Sequence, residues 1–267
     1  MKYGKRLLAL VLAVVMMCPL TVFGAEAEDT KEVLRQALAR NQQWDDVNGF
    51  YDFTFTISGG ILETLGAEPM TMRAEMNLKA NHLQDPAQLK YMSYMRTTEL
   101  DGTETVVTTY ETDGCRYSDE TGTKLRTEAV PGGVESLLPE DMSRSLIMGY
   151  LQLGTPYPSD TGVVIPYYMD PEDCDSFMRQ FYYMGFSMEE QLEAQGMAVR
   201  LTSIHGDYGI NDQGQIEKYR MTAELELYTE GLSVPVNGEI RLEIGFADPG
   251  QPVEVPLPNP AEYVQNP

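Results

Sequence analysis

All the imidazole and thiol chemistry this 267-residue chain can offer rests on two histidines and three cysteines. His82 stands in Asn81-His82-Leu83-Gln84-Asp85-Pro86, a turn sequence, and reads as solvated. His205 alternates with Leu201 and Ser203 near the end of a strand and reads as a satisfied structural histidine. Neither has a local motif that would pair it with Cys115 or Cys174 as base and nucleophile. Serine chemistry fares no better. There is no Gly-x-Ser-x-Gly, and no serine has a lysine three residues later. Metal and phosphate devices are missing too: no His-Glu-x-x-His, no Cys-x-x-Cys, no calcium loop and no Gly-x-x-x-x-Gly-Lys. Asp170, Glu172, Asp173 and Asp175 form the one dense acidic run. They match the start of a helix, where carboxylates complement the positive end of the backbone dipole. Many of the remaining acids lie on strands, which leaves a carboxylate pair for glycoside hydrolysis open, yet they alternate with apolar residues, as a wetted sheet face requires anyway. No catalytic residue, metal ligand or cofactor is therefore assigned, and the expectation is a protein that is not an enzyme.

The methionines are the exception to this bland picture. Sixteen occur, three of them before residue 28. Met70, Met72 and Met76 share one face of a single alternating segment, and Met95 and Met221 lie in similar segments. Methionine is unbranched and polarizable, so it suits apolar surfaces that adapt to variable partners. Ordinary core packing explains the same pattern, and both readings stay open. What favours a binding face is extent: a sheet this long presents more apolar surface than three short helices cover, which leaves a groove between them. Phe53, Phe55, Met72, Met76, Met95, Met221 and Leu225 are the expected lining residues.

These residues are set by a chain that changes period twice. A helix opens the ordered part: Asp29 or Thr30 caps it, and Val33, Leu34, Ala37, Leu38 and Asn41 fall on one face. From residue 50 the period drops to two. Tyr51, Phe53, Phe55 and Ile57 oppose Asp52, Thr54, Thr56 and Ser58, and Met70 to Lys79 alternate as cleanly. Segments 88–98 and 104–112 continue the series, and Asp113-Gly114 turns into a short strand at Cys115–Ser118. A helical insert is expected over about 134–195. Within it, helices are expected at about 137–151, from Asp170-Pro171 to about Met184, and from Ser187, with a loop at 154–162. Strands return at 197–208, through Tyr219–Leu227, and from Val234 to Phe246, followed by a Pro-rich tail, 249–267, expected to lie along an edge. The reading is one α+β domain over 28–267: an antiparallel sheet with one wet face, an N-terminal helix and a helical insert.

Residues 1–27 stand apart. Lys2, Lys5 and Arg6 precede the apolar run Leu7–Met17, and Ala25-Glu26-Ala27 supplies a small-x-small cleavage site, the anatomy of a secretory signal peptide. Cys18 follows Val15-Met16-Met17, a poor lipoprotein box, so cleavage near Ala25 or Ala27 is preferred over lipid attachment at Cys18. No later apolar stretch is long enough to span a membrane. The net charge of −22 repels nucleic acid and anionic headgroups, so nucleic-acid binding is excluded as a role. Cys115 and Cys174 neither establish nor exclude a disulfide in an exported compartment.

Several stretches together resemble a known family. They are the helix Glu32-Val33-Leu34-Arg35-Gln36-Ala37-Leu38, the run Val47-Asn48-Gly49-Phe50-Tyr51-Asp52-Phe53 and the Met-rich strand after it. Tyr110-Glu111-Thr112-Asp113-Gly114-Cys115-Arg116-Tyr117 and the turn Asn211-Asp212-Gln213-Gly214-Gln215-Ile216 complete the set. The layout resembles the LolA/LppX-like superfamily of half-open β-barrels, and within it the DUF6612-type exported proteins of Gram-positive bacteria. The resemblance implies a strongly curved antiparallel sheet wrapped around helices, with an apolar cavity, no catalysis and no cofactor. It also implies a lipid or other apolar ligand as partner. The insert is larger than that pattern leads one to expect. The competing expectation is a cell-surface interaction or structural module with a filled core and no ligand.

Overall fold

Alternation at period two sets most of the chain into strands, and the turns between them are short enough to make nearly every pairing antiparallel. In the computed structural model the described residues are 28–85, 87–128, 150–174, 176, 197–229 and 234–265. After helix α1 (Glu28–Asn41) come β1 (Val47–Ser58), a short helix α2 (Gly60–Thr64), β2 (Met70–Asn81), β3 (Lys90–Thr98), β4 (Glu104–Thr112), β5 (Cys115–Glu120) and β6 (Thr123–Glu128). The second half holds β7 (Leu151–Leu153), β8 (Tyr157–Pro158), β9 (Gly162–Met169), β10 (Met197–Asn211), β11 (Ile216–Thr229) and β12 (Val236–Phe246). It ends with β13 (Val264–Gln265). All join one sheet in the order β13-β6-β5-β4-β3-β2-β1-β12-β11-β10-β9-β7, with β8 beside β9. The sheet is curved and open, an α+β half-barrel: its two end strands do not pair with each other. β1 and β12, almost 190 residues apart, pair over ten positions and join the two halves.

Helix α1 is held to the second half by its last turn. Leu34 and Ala37 are buried in the core, and Asn41 meets the β11 backbone with both ends of its amide. Its Nδ2 donates to the Ile216 carbonyl at 2.9 Å, and the Ile216 amide donates to its Oδ1 at 3.0 Å. Arg40 caps the same turn, donating to the carbonyls of Gln213 and Gly214. A Cβ on Gly214, whose φ is +72°, would strike that guanidinium, so the turn needs its glycine for both conformation and space.

The tail straps one end of the sheet. The Val253 amide donates to Asp46 at 2.6 Å and its carbonyl accepts from Asn81 at 3.0 Å. Val264 and Gln265 then pair parallel with Leu125 and Arg126 of β6, and the Tyr263 ring meets Tyr117 edge-on at 5.2 Å. The tail does lie along an edge, and it blunts the row of unpaired backbone groups there.

Where the sequence led to a helical insert over about 134–195, the described part is largely strand. Leu151–Leu153, Tyr157–Pro158 and Gly162–Met169 extend the sheet instead. Val163-Val164-Ile165-Pro166-Tyr167-Tyr168-Met169 is a nearly continuous apolar run, which carries no alternation, and Pro166 looks like a breaker. Pro166 falls between the residues of β9 that pair with β7 and those that pair with β8, near the sheet's edge, where proline is tolerated. The helix after Asp170 is present through residues 171–174 and 176; its continuation to Met184, the helix from Ser187 and most of the one at 137–151 lie outside the described residues. Residues 1–27, expected to be a signal peptide, lie outside them as well, Cys18 included. The short helix α2 and strand β6 were not expected from the sequence. No disulfide joins Cys115, on β5, to Cys174, which is buried in the helical segment after Asp170.

His205 also differs from expectation. β10 carries a bulge between Leu201 and Ser203, so Leu201 and Ile204 both face inward and His205 is exposed on the outer face. His82 sits in its turn as expected, with φ of +58° and its Nδ1 3.6 Å from Asp45.

Candidate functional site

Strand register brings all seven expected lining residues to the inner face of the sheet. Phe55 pairs with Met72 of β2, and Phe53 lies between Ala74 of β2 and Leu242 of β12. Leu242 in turn neighbours Met221 of β11. Phe55 and Leu225 approach each other over Gly238: a Cβ there would lie 3.2 Å from the Phe55 ring and 3.3 Å from the Leu225 Cβ. Met76 and Met95 are paired on β2 and β3. The seven fall into two groups with different surroundings. Phe53, Met72 and Met221 are buried, with Phe55, Met76 and Leu225 packed beside them, whereas Met95 is half-buried and outside the core cluster.

That division follows the sheet itself. One row crosses it from Ile165 through Tyr208, Tyr219, Ile244, Tyr51, Met76 and Met95 to Val107. On β9–β12 and β1 this row is core: Ile165, Tyr208, Tyr219 and Tyr51 are buried, with Ile244 half-buried among them. Beyond Tyr51 every member is only half-buried. The filled half owes its filling to aromatic side chains that reach over glycines. Tyr167 crosses Gly206 to donate to the Arg220 carbonyl at 3.0 Å, stacking on Tyr219 with centroids 5.9 Å apart. Among the described residues the inner face of β3–β6 has no such cover, and forms a half-covered wing of Met95, Thr97, Val107, Thr109 and Leu125, with Ser118 and Glu120 beside them.

The wing turns polar toward its β4–β5 turn. Glu111 is 8% exposed and Ser93 6% exposed. Arg116 donates from Nε and Nη2 to one Glu111 carboxylate oxygen, at 3.1 and 2.8 Å. Tyr91 pairs with Glu111 in register. Burial pushes its phenol above the ordinary value, against smaller opposing effects of the Ser93 hydroxyl and the Arg116 guanidinium. Among the described residues Glu111 is the one buried acid, and Arg116 takes up its charge. No group of three or more His, Cys, Asp or Glu side chains among them is arranged to hold a metal ion.

Sequence reasoning passed over Tyr51, Ser93, Glu111 and Arg116 as site residues. The alternation puts Tyr51 on the same face as Phe53 and Phe55, but nothing in the sequence marks it out from them. Glu111 and Arg116 sit among threonines and serines whose alternation gives no sign that one face is inner.

Fold and face together define an open, barrel-like, mostly antiparallel-sheet protein whose inner surface is apolar from β9 to β2 and mixed over β3–β6. No helix among the described residues is long and apolar enough to cross a membrane. No family model and no curated protein matches the chain. Among solved structures, similarity is found to a beta-barrel-like protein of the domain of unknown function DUF1849 from Brucella abortus. That match has 8% identity and a TM-score of 0.20, over 77% of this chain and 100% of that one. A 12:0-ACP thioesterase from Umbellularia californica matches at 8% identity and a TM-score of 0.13, over 83% of this chain and 81% of that one. Neither likeness is close enough to transfer a fold or a function. Membership of the LolA/LppX-like superfamily, or of its DUF6612-type branch, gains nothing from these matches; the open barrel-like sheet rests on the strand order.

Proposed function

We propose that this is a non-enzymatic, exported cell-envelope protein that binds an apolar ligand, such as a lipid acyl chain, on the half-covered wing of its sheet. One observation carries the reading: Met76, Met95 and Val107 continue an inner-face row that is core elsewhere, yet none of them is fully covered. Apolar surface left in this state gains about 25 cal/mol for each Å² that a ligand removes from water. Methionines accept chains of different shape there at little packing penalty. The leader-like residues 1–27 and the acidity support export, and the charge argues against nucleic acid as a partner. The LolA/LppX-like resemblance agrees with this role. The rival, a surface module with a filled core, accounts for β9–β12 but not for the wing.

Native mass spectrometry of protein purified from its own host, with organic extraction of what co-purifies, tests the reading. A discrete adduct that extracts as lipid supports it; a clean apo mass with no uptake of an added fluorescent fatty acid overturns it. Met95→Asp is the diagnostic variant. It places a carboxylate on the wing, where the group can still reach water, so the protein folds and uptake is lost. The same change at Met72 or Met221 would bury an unpaired charge in the core and report on folding instead.

A further inference from the structure

We infer that the ligand of the wing carries a hydrogen-bond acceptor within reach of its apolar part, an acyl carbonyl or carboxyl oxygen, and that the Tyr51 hydroxyl donates to it. The inference deepens the reading above and rests on it. Tyr51 is the last buried member of the row before the wing begins. Its side chain is 4% exposed, its neighbours in register are Met76 and Ile244, and its hydroxyl oxygen is buried without a hydrogen-bond partner. Phenylalanine would fill the same space, so the hydroxyl weakens the unliganded fold: a buried donor left unmade is more costly than the bond it replaces is favourable. Burial also raises its phenol above the ordinary value, which keeps the group protonated and a donor at any physiological pH.

Glu111 and Arg116 bond to each other, and Tyr167 bonds to the Arg220 carbonyl. Tyr51 alone of these stands between filled core and half-covered wing with its donor unused. A saturated hydrocarbon would cover Met76 and Met95 and leave that donor as it is. An amphiphile with an oxygen at the start of its chain would satisfy it and lay the chain across the wing.

The test compares three fluorescent probes of similar length: diphenylhexatriene, a pure hydrocarbon; cis-parinaric acid; and the methyl ester of that acid. Tyr51→Phe is expected to melt no lower than the wild type. It should bind the hydrocarbon within about twofold and lose about tenfold in affinity for the acid, the size of one hydrogen bond of ordinary net strength. The same loss with the ester assigns a carbonyl oxygen as acceptor, and a loss confined to the acid assigns a carboxylate; both support the inference. Equal loss for all three probes, or no loss for any, overturns it while leaving the apolar site standing. A variant that melts below the wild type shows that the hydroxyl is satisfied inside the protein, by ordered water for example, and overturns it too. If the wild type takes up none of the three, the parent reading falls and the inference with it.

Discussion

Gly206→Ala tests what makes one half of the inner face a core. A methyl at this position would lie 2.0 Å from the Arg220 carbonyl oxygen, 2.5 Å from the Tyr167 hydroxyl and 2.7 Å from its Cζ. Two of those atoms belong to a side chain that is 2% exposed, stacked on Tyr219 and packed at a tilt against Tyr208, so it has nowhere to swing. Forcing the ring and the β11 backbone apart is an overpacking penalty of about 1–3 kcal/mol. Loss of the Tyr167 bond to Arg220 adds about 1 kcal/mol. Alanine restricts the unfolded chain and returns about 0.4–1 kcal/mol. The net expectation is a loss of about 2–3 kcal/mol, or roughly 5–10 °C in melting temperature for a domain of this size.

Gly209→Ala is the matched control on the same strand. Its new methyl would meet the Lys218 Cβ at 3.3 Å and nothing closer, a contact that a few tenths of an ångström relieves. Urea unfolding of both variants, with unchanged m-values, gives the comparison. Equal losses at the two positions, or a Gly206→Ala loss under about 1 kcal/mol, would refute the argument that Tyr167 needs that gap. Combining Gly206→Ala with Tyr167→Phe removes the hydroxyl contact and keeps the ring, so the double variant should be more stable than the sum of the singles by about 1 kcal/mol.

Two further expectations concern α1. Asn41→Ala removes both hydrogen bonds to Ile216, so it should destabilise by about 1–3 kcal/mol and release the Ile216 amide to exchange, with mid-β11 amides unchanged. Hydrogen exchange followed by NMR reads both; an unchanged Ile216 amide would mean that the helix is held by Leu34 and Ala37 alone. Glu32 is lowered from its ordinary 4.5 to about 2, first by the hydrogen bond from Arg35 and then by that from Gln36. Because its folded value is the lower one, the support it gives α1 is complete above about pH 4.5 and fades as pH falls toward about 2. A carboxyl-carbon titration by NMR should show that midpoint, and Arg35→Ala should return it toward 4.5.

The period-two alternation made seven of the long strands legible, and with them the face on which every candidate residue lies. Phe53 beside Phe55, or Met72 beside Met76, needs only a side-chain repeat of two. The register between strands needs more. The pairing of β1 with β12 joins residues such as Phe53 and Leu242 with no local signal between them. Where the period is absent or broken, the reading failed for the same physical reason each time. β9 has apolar residues at successive positions and so shows no wet face. The extra residue Thr202 in β10 exchanges the faces of everything after it, which carried His205 from an expected interior to solvent.

What the alternation cannot convey is how far a face is covered. Met76 and Met221 occupy equivalent positions in equally regular strands, Arg-Ala-Glu-Met-Asn and Arg-Met-Thr-Ala-Glu. One is half-buried and the other core, and no property of either strand decides it. The difference comes from what arrives from elsewhere: Tyr167 crossing Gly206, and α1 laid against β11 by Asn41. Cover is thus a tertiary quantity, set by a few long-range contacts that each depend on one residue at one place. The proposed ligand site lies where those contacts stop. A sheet whose inner face were covered throughout would gain nothing from a flexible Met76 or Met95, nor from a hydroxyl on Tyr51. All three make physical sense together if the wing is completed by a molecule the chain does not encode.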